Sequence, residues 1–457
     1  MRDDTIRVPR SGAFSGNMRL KRVLLIGFFV VLLVMGGAPP LIGGQIQNRQ
    51  QVLLDRLSLV VAGAEPTLES YQKGWFTSRT RHRLLLSDAR LAAAAQMLAD
   101  PAASSPASAL IIDTVIAHGP WPMLDGWPAL ARMRSTLLLE GSEAARIPLP
   151  GVAVTRVGFG GGGHTRVTVD ELLRPLADGQ GTLSAQGADI DVRFDRNAAR
   201  LRTRGVLRPV RIESAEGLME SGRVTFSSDT RPTGFGFRSG SSQVAMETFV
   251  FVDYLGREVS GSGLDLALQV SADNDTVDYA THVGLARIQA QGGAPVAANM
   301  DLRFEALDAV MLGALLQRVQ QGFGLRPFGT ELASLVRPGS GLRVSDLEIR
   351  AGAGYASLDL QLQLPADNAT DRPISNSFDL LSLFEGDGQL RMNRIMLSTA
   401  LGLKPGALEP REGSENADPI GLISQGYLRV EGDKLVSDLR ISGGLITVNK
   451  LPLPLSP

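Results

Sequence analysis

The sequence predicts a mainly β fold: large curved antiparallel sheets, forming a sandwich or an open groove, with a few helices, preceded by one N-terminal transmembrane helix. Three observations predict it. Apolar and polar residues alternate with period two through most of the chain after residue 67, as strands with one apolar face require. Glycine is abundant, 51 of 457 residues, which suits many strands joined by tight turns. An uncharged stretch follows a basic cluster near the N-terminus.

That stretch runs from Val23 to Gly44. As a helix of about 1.5 Å rise per residue it is long enough for a hydrocarbon core of about 30 Å. Val23, Leu24, Leu25, Ile26, Phe28, Phe29, Val30, Val31, Leu32, Leu33 and Val34 form its most apolar part. Arg2, Arg7, Arg10, Arg19, Lys21 and Arg22 precede it, opposed only by Asp3 and Asp4. A basic flank stays in the cytoplasm, so residues 1–22 read as a cytoplasmic tail and everything after residue 44 as periplasmic. Gly36, Gly37 and Ala38 would suit a signal-peptide cut, but Pro39 directly after them disfavours cleavage and favours a retained anchor.

Ile46, Leu53, Leu57, Val60 and Val61 recur at helical spacing among polar residues, so residues 45–66 read as an amphipathic helix and linker. Residues 67–305 form a β-rich region. Its clearest strand has Leu264, Leu266, Leu268 and Val270 alternating with Asp265, Ala267 and Gln269. Residues 306–340 read as a helical insert, because Leu307, Val310, Met311, Ala314, Leu315 and Val319 share one helical face. Residues 341–457 return to β, with Leu358, Leu360, Leu362 and Leu364 in alternation, and end in a meander turned by Gly432-Asp433 and Gly443-Gly444.

Composition excludes several functions. The formal net charge of −1 argues against nucleic acid as a partner. The chain has no cysteine, so disulfides, thiolate metal sites and cysteine nucleophiles are excluded. Gly158, Gly160 and Gly163 match the spacing of a dinucleotide loop, but a strand rather than a helix follows, so the segment reads as a hairpin loop. His82, His118, His164 and His282 lack the spacing of a zinc motif. Asp273, Asp275 and Asp278 read as a turn, without the glycine and terminal glutamate of a calcium loop. No cofactor, metal or catalytic set is expected.

Two segments stand out in a chain with only 5% aromatic residues. One runs Ser70-Tyr71-Gln72-Lys73-Gly74-Trp75-Phe76-Thr77-Ser78. The other is His118-Gly119-Pro120-Trp121-Pro122, with Trp127 and Pro128 nearby. Rigid Trp and Pro residues of this kind plug a sheet corner or offer an aromatic patch to a partner. A span, a helix, S-Y-x-x-G-W-F-x-S and then a strand ending H-G-P-x-P resemble the YdgA family of proteobacterial proteins of unknown function. Gly426-Tyr427-Leu428-Arg429-Val430 and the hairpin through Gly443 to Asn449 resemble that family's closing strands. The resemblance implies an inner-membrane protein facing the periplasm and supplies no catalytic residue.

The expected function is non-enzymatic: binding another envelope protein, with Tyr71, Gly74, Trp75, Phe76, His118, Gly119, Pro120, Trp121 and Pro122 as the interaction candidates, or supporting envelope assembly. The alternative is a lipid-binding or lipid-transfer groove resembling AsmA-type envelope proteins. An unrecognised hydrolase would need His118 and His164 to meet several carboxylates in one pocket. The rows of alternating leucines separate the first two readings by facing either a closed core or an open groove.

Overall fold

The computed structural model describes residues 64–86, 107–119, 128–141, 146–176, 181–320, 334–365, 383–403, 408 and 421–453. Among them the chain is mainly β. β1 (Ala64–Lys73), β2 (Thr77–Leu86), β3 (Ala107–His118) and β4 (Ala131–Gly141) form an antiparallel meander. The short β5 (Arg146–Pro148) pairs with one end of β4 and β6 (Val152–Val157) with the other.

The next strands come as interrupted lines. β7 (Gly163–Val169) and β8 (Leu172–Pro175) form one line, β9 (Thr182–Ala185) and β10 (Ala188–Phe194) a second, β11 (Leu201–Leu207) and β12 (Val210–Ser214) a third, and β13 (Gly217–Ser221) and β14 (Val224–Pro232) a fourth. Register is unbroken across the gaps: Leu207 faces Val224 and Val210 faces Ser221. The fourth line lies along β15 (Arg238–Asp253), which is followed by β16 (Glu258–Asp273), β17 (Thr276–Ala290) and β18 (Val296–Asp308).

Helix α1 (Ala309–Gln320) leaves β18 directly. Its Ala309 N–H donates to Asp275 O, and Gly313 lies so near Phe235 O that a Cβ would stand 2.1 Å from it. The helix therefore packs on hairpin turns at the strand ends. β19 (Gly341–Ala351), β20 (Gly354–Gln363) and β21 (Glu385–Asn393) resume the sheet. Helix α2 (Arg394–Ala400) follows, its N-terminus capped by Asn393, whose side chain accepts the Met396 N–H at 2.9 Å. β22 (Arg429–Glu431), β23 (Lys434–Ser442), β24 (Leu445–Val448) and β25 (Leu451–Pro452) close the chain, with β23 paired to β21.

All these strands belong to one antiparallel sheet. Substantial contacts run between hydrogen-bonded neighbours, with α1 touching β18 and α2 touching β20 and β21. Many of the buried apolar side chains gather toward the two ends of this strand order, with Leu183, Ala188, Val277 and Leu307 buried between them. Ile116, Ala131 and Leu139 lie near the first end. Near the other, Leu362, Leu364, Phe384 and Ile441 form one cluster and Leu397, Leu408, Leu428 and Leu435 another. Each such Leu or Ile stabilises the fold by roughly 1.5–3 kcal/mol. Between the ends, β14, β15 and β16 contribute no buried side chain.

The expected fold class needs correction in two respects. One open sheet replaces the sandwich, because each hairpin adds its strand to the preceding one and none returns as a facing layer. The expected transmembrane helix has no support: among the described residues no helix is long and apolar enough to cross a membrane. The stretch 23–44, with Val23 through Val34, lies outside the described residues, as does the amphipathic helix expected over 45–62.

Candidate functional site

Pairing register assigns every side chain in the middle of the sheet to one of two faces, because directly opposite residues share a face. Leu264 of β16 faces Met246 of β15 and Leu285 of β17. Extended both ways, this row reads Leu207, Val224, Met246, Leu264, Leu285, Ala298, Ile349, Ala356, Met392 and Leu435 from β11 to β23 without a polar member. A second row holds Ile190, Gly205, Phe226, Val244, Leu266, Val283 and Met300. A third, through Leu268, Thr281, Leu302, Val344 and Leu360, admits only small hydroxyl residues among its apolar ones.

Nine strand spacings make the first row about 43 Å long, and the face is about 14 Å wide where the three rows run side by side from β16 to β18. Contiguous apolar surface left open to solvent marks interaction sites. The middle is uncovered: Val244 is 37% and Leu266 38% exposed. Within the face the side chains shield one another, as where the Tyr279 and Phe304 rings meet edge-on with centroids 6.3 Å apart. Gly205 makes room for Phe226, whose ring would lie 2.2 Å from any Cβ at that position.

The opposite face is polar and carries shallow hollows. One of about 490 Å³ includes Arg202, Asp229, Gln243, His282, Asp301, Arg303 and Arg343. A second of about 430 Å³ adjoins it through the shared Arg204, Ser227 and Gln243. Here His282 Nδ1 bonds Asp301 Oδ1 at 2.6 Å, and His164 bonds Asp191. The His164 contact is the main cause holding the Asp191 carboxyl below its ordinary value.

The first aromatic segment meets His118, where the second begins, at one end of the sheet. Gly74 turns the β1–β2 hairpin, where a Cβ would lie 2.2 Å from Thr77 O. Trp75 and Phe76 stand at its tip, 60% and 47% exposed, while Tyr71 is half-buried on β1. The His118 N–H donates to Phe76 O at 2.9 Å, which ties the end of β3 to the hairpin, and Gly119 at a φ of 119° turns the chain away. His118 is 1% exposed, with Nε2 3.0 Å from Ser78 Oγ, so the pair is closed to solvent. Pro120, Trp121 and Pro122 lie outside the described residues.

His118 and His164 do not share a pocket. His118 is buried on β3, and His164 lies on the polar face of β7. Asp275 binds Arg337 and Asp278 accepts the Ala306 N–H, so those carboxylates do not converge; among the described residues no group of three possible metal ligands occurs. Gly158 to Gly163 forms the β6–β7 hairpin loop, closed by a Gly158 N–H to Gly162 O bond.

The sequence reading missed the arginines of the polar face. Its signal was present as Arg79-x-Arg81-x-Arg83, Arg132-x-Arg134 and Arg202-x-Arg204, spacings that set both side chains on one face of a strand.

Neither the curated proteins nor the solved structures offer a match to this chain. A family model matches residues 20–456, and the chain belongs to that family, DUF945, described as a bacterial protein of unknown function.

Proposed function

We propose that this is a non-enzymatic protein of the bacterial cell envelope that shelters the acyl chains of a lipid on its apolar face, in the manner of AsmA-type envelope proteins. The observation that carries the reading is the unbroken apolar row from Leu207 to Leu435, which crosses β14, β15 and β16, where no side chain is buried. Water against such a face is costly, at about 25 cal/mol per Å² of apolar surface, and acyl chains remove that cost without any directional bond. The narrower likeness to the YdgA family and the envelope location belong to the same proposal and are supported by the sequence alone.

Mass spectrometry of the gently extracted full-length protein tests the reading. Stoichiometric co-purified lipid is the expected result, and a lipid-free, monodisperse protein would refute it.

A second reading is favoured by one separate observation, the exposed Trp75 and Phe76 at the hairpin tip. Aromatic anchors of this kind dominate protein interfaces, and they would suit an envelope protein partner or a role in assembly. In-cell crosslinking from position 75 should then give one discrete adduct that the Trp75→Ala/Phe76→Ala variant loses. Adducts of many sizes would argue against a specific partner.

A further inference from the structure

We infer that the arginine rows on the polar face of β4, β6, β7, β10 and β11 bind an acidic polysaccharide. The register sets Arg132, Arg156, His164, Arg193 and Arg202 directly beside one another across five strands. The adjoining row holds Arg134, Arg166, Asp191 and Arg204. Like charges opposite one another on a sheet oppose its formation, so a run of this length needs an opposing charge. The protein supplies part of it, with Arg193 and Arg202 among those paired. Asp191 is engaged by His164 and Arg193, Asp189 by Arg208, and Asp229 by Arg200 and Arg202. Among the described residues no carboxylate pairs with Arg134, Arg166 or Arg204, and all three are exposed. The excess is local in a chain whose net charge is −1, so long-range attraction of the whole molecule does not explain it.

The form of the site selects the anion. Arg166 and Arg204 line the hollow of about 430 Å³, which continues past Ser227 and Gln243 into the next. A hollow crossing several strands admits a chain lengthwise and meets a flat bilayer poorly. Its one aromatic, Phe226, turns its ring to the other face over Gly205, which leaves bases nothing to stack on. Guanidinium forks take carboxylates or phosphates two bonds at a time, while serine and glutamine bond hydroxyls. Acid groups and hydroxyls repeated along one flexible chain describe an acidic glycan.

The test uses the full-length protein in detergent, with sodium polygalacturonate as the probe, neutral dextran as the control, and single-stranded oligothymidylate and phosphatidylglycerol vesicles as competitors. Polygalacturonate should bind in a salt-sensitive way, and Arg166→Ser/Arg204→Ser should weaken it at least tenfold without altering thermal unfolding or the lipid recovered with the protein. Because that lipid is read separately, the apolar-face proposal can fail while this one stands. If the double variant does not fold, Arg204→Lys, which keeps the charge and loses the fork, should still weaken binding. Equal binding of dextran, or no effect of the arginine variants, would overturn the inference. So would tighter binding of the oligonucleotide or the vesicles, either of which would assign the rows to that partner instead.

Discussion

Leu266→Glu separates an open apolar face from a closed core. Leu266 sits mid-strand on β16 between Val244 and Val283, and 38% of it is exposed. Fully burying a leucine is worth roughly 1.5–3 kcal/mol, so the covered portion accounts for about 1–2 kcal/mol, and the carboxylate can turn toward water. The variant should therefore lose only about 1–2 kcal/mol in urea unfolding. Leu362→Glu, at a position 2% exposed within the cluster of Leu364, Phe384 and Ile441, should lose well over 3 kcal/mol or fail to fold. Lipid capture should show the opposite order of sensitivity. A charge at position 266 displaces about three methylenes at about 0.8 kcal/mol each, a loss near 2.4 kcal/mol or about fiftyfold in affinity. Urea titrations of both variants, paired with displacement of a fluorescent fatty acid, give both numbers. Equal destabilisation by the two substitutions would refute the reasoning, because it would mean that position 266 lies in a sealed core.

Three further outcomes follow from particular contacts. His82 is 7% exposed and burial lowers its pKa below 6.5, so the unfolded chain binds a proton that the folded chain refuses; stability should fall as pH drops below about 6.5, and His82→Gln should flatten that part of a Tm-against-pH curve. Asp191→Asn removes the carboxylate that His164 and Arg193 share, so the variant should melt slightly lower, by under about 1 kcal/mol. Because the Asp191 pKa is depressed in the fold, its contribution is complete above the ordinary carboxylate range and vanishes as pH falls through the folded value, where variant and parent should converge. Gly205→Ala drives a Cβ to 2.2 Å from the Phe226 ring, so circular-dichroism melts should show a loss of about 1–3 kcal/mol.

The strands were readable where the alternation is regular, as at Leu264 to Val270 and Leu358 to Leu364. It was less readable where a bulge resets the parity. Val344 and Leu347 are three residues apart, yet both face the apolar side, because Asp346 takes a φ of 53° and the register shifts there. Period-two counting breaks at such points, so the continuity of the face appears only once pairing is known. Whether that face is covered is a non-local property that no local pattern encodes. Helix α2 was missed because its seven residues give too little periodicity to register. Among the site candidates, the association of Phe76 with His118 depends on β3 returning beside β2, a non-local pairing that neither motif encodes. The arginine rows escaped because net charge averages over 457 residues, whereas register concentrates seven arginines on one face of five strands.

The most direct measurement places a photo-crosslinking amino acid at position 266 on one face of β16 and, separately, at 269 on the other, in the full-length protein in living cells. Irradiation should join lipid to the chain from position 266 and not from 269, read as a mass shift of phospholipid size. Protein adducts alone from 266, or lipid adducts of equal yield from both positions, would contradict the assignment of the apolar face to acyl chains.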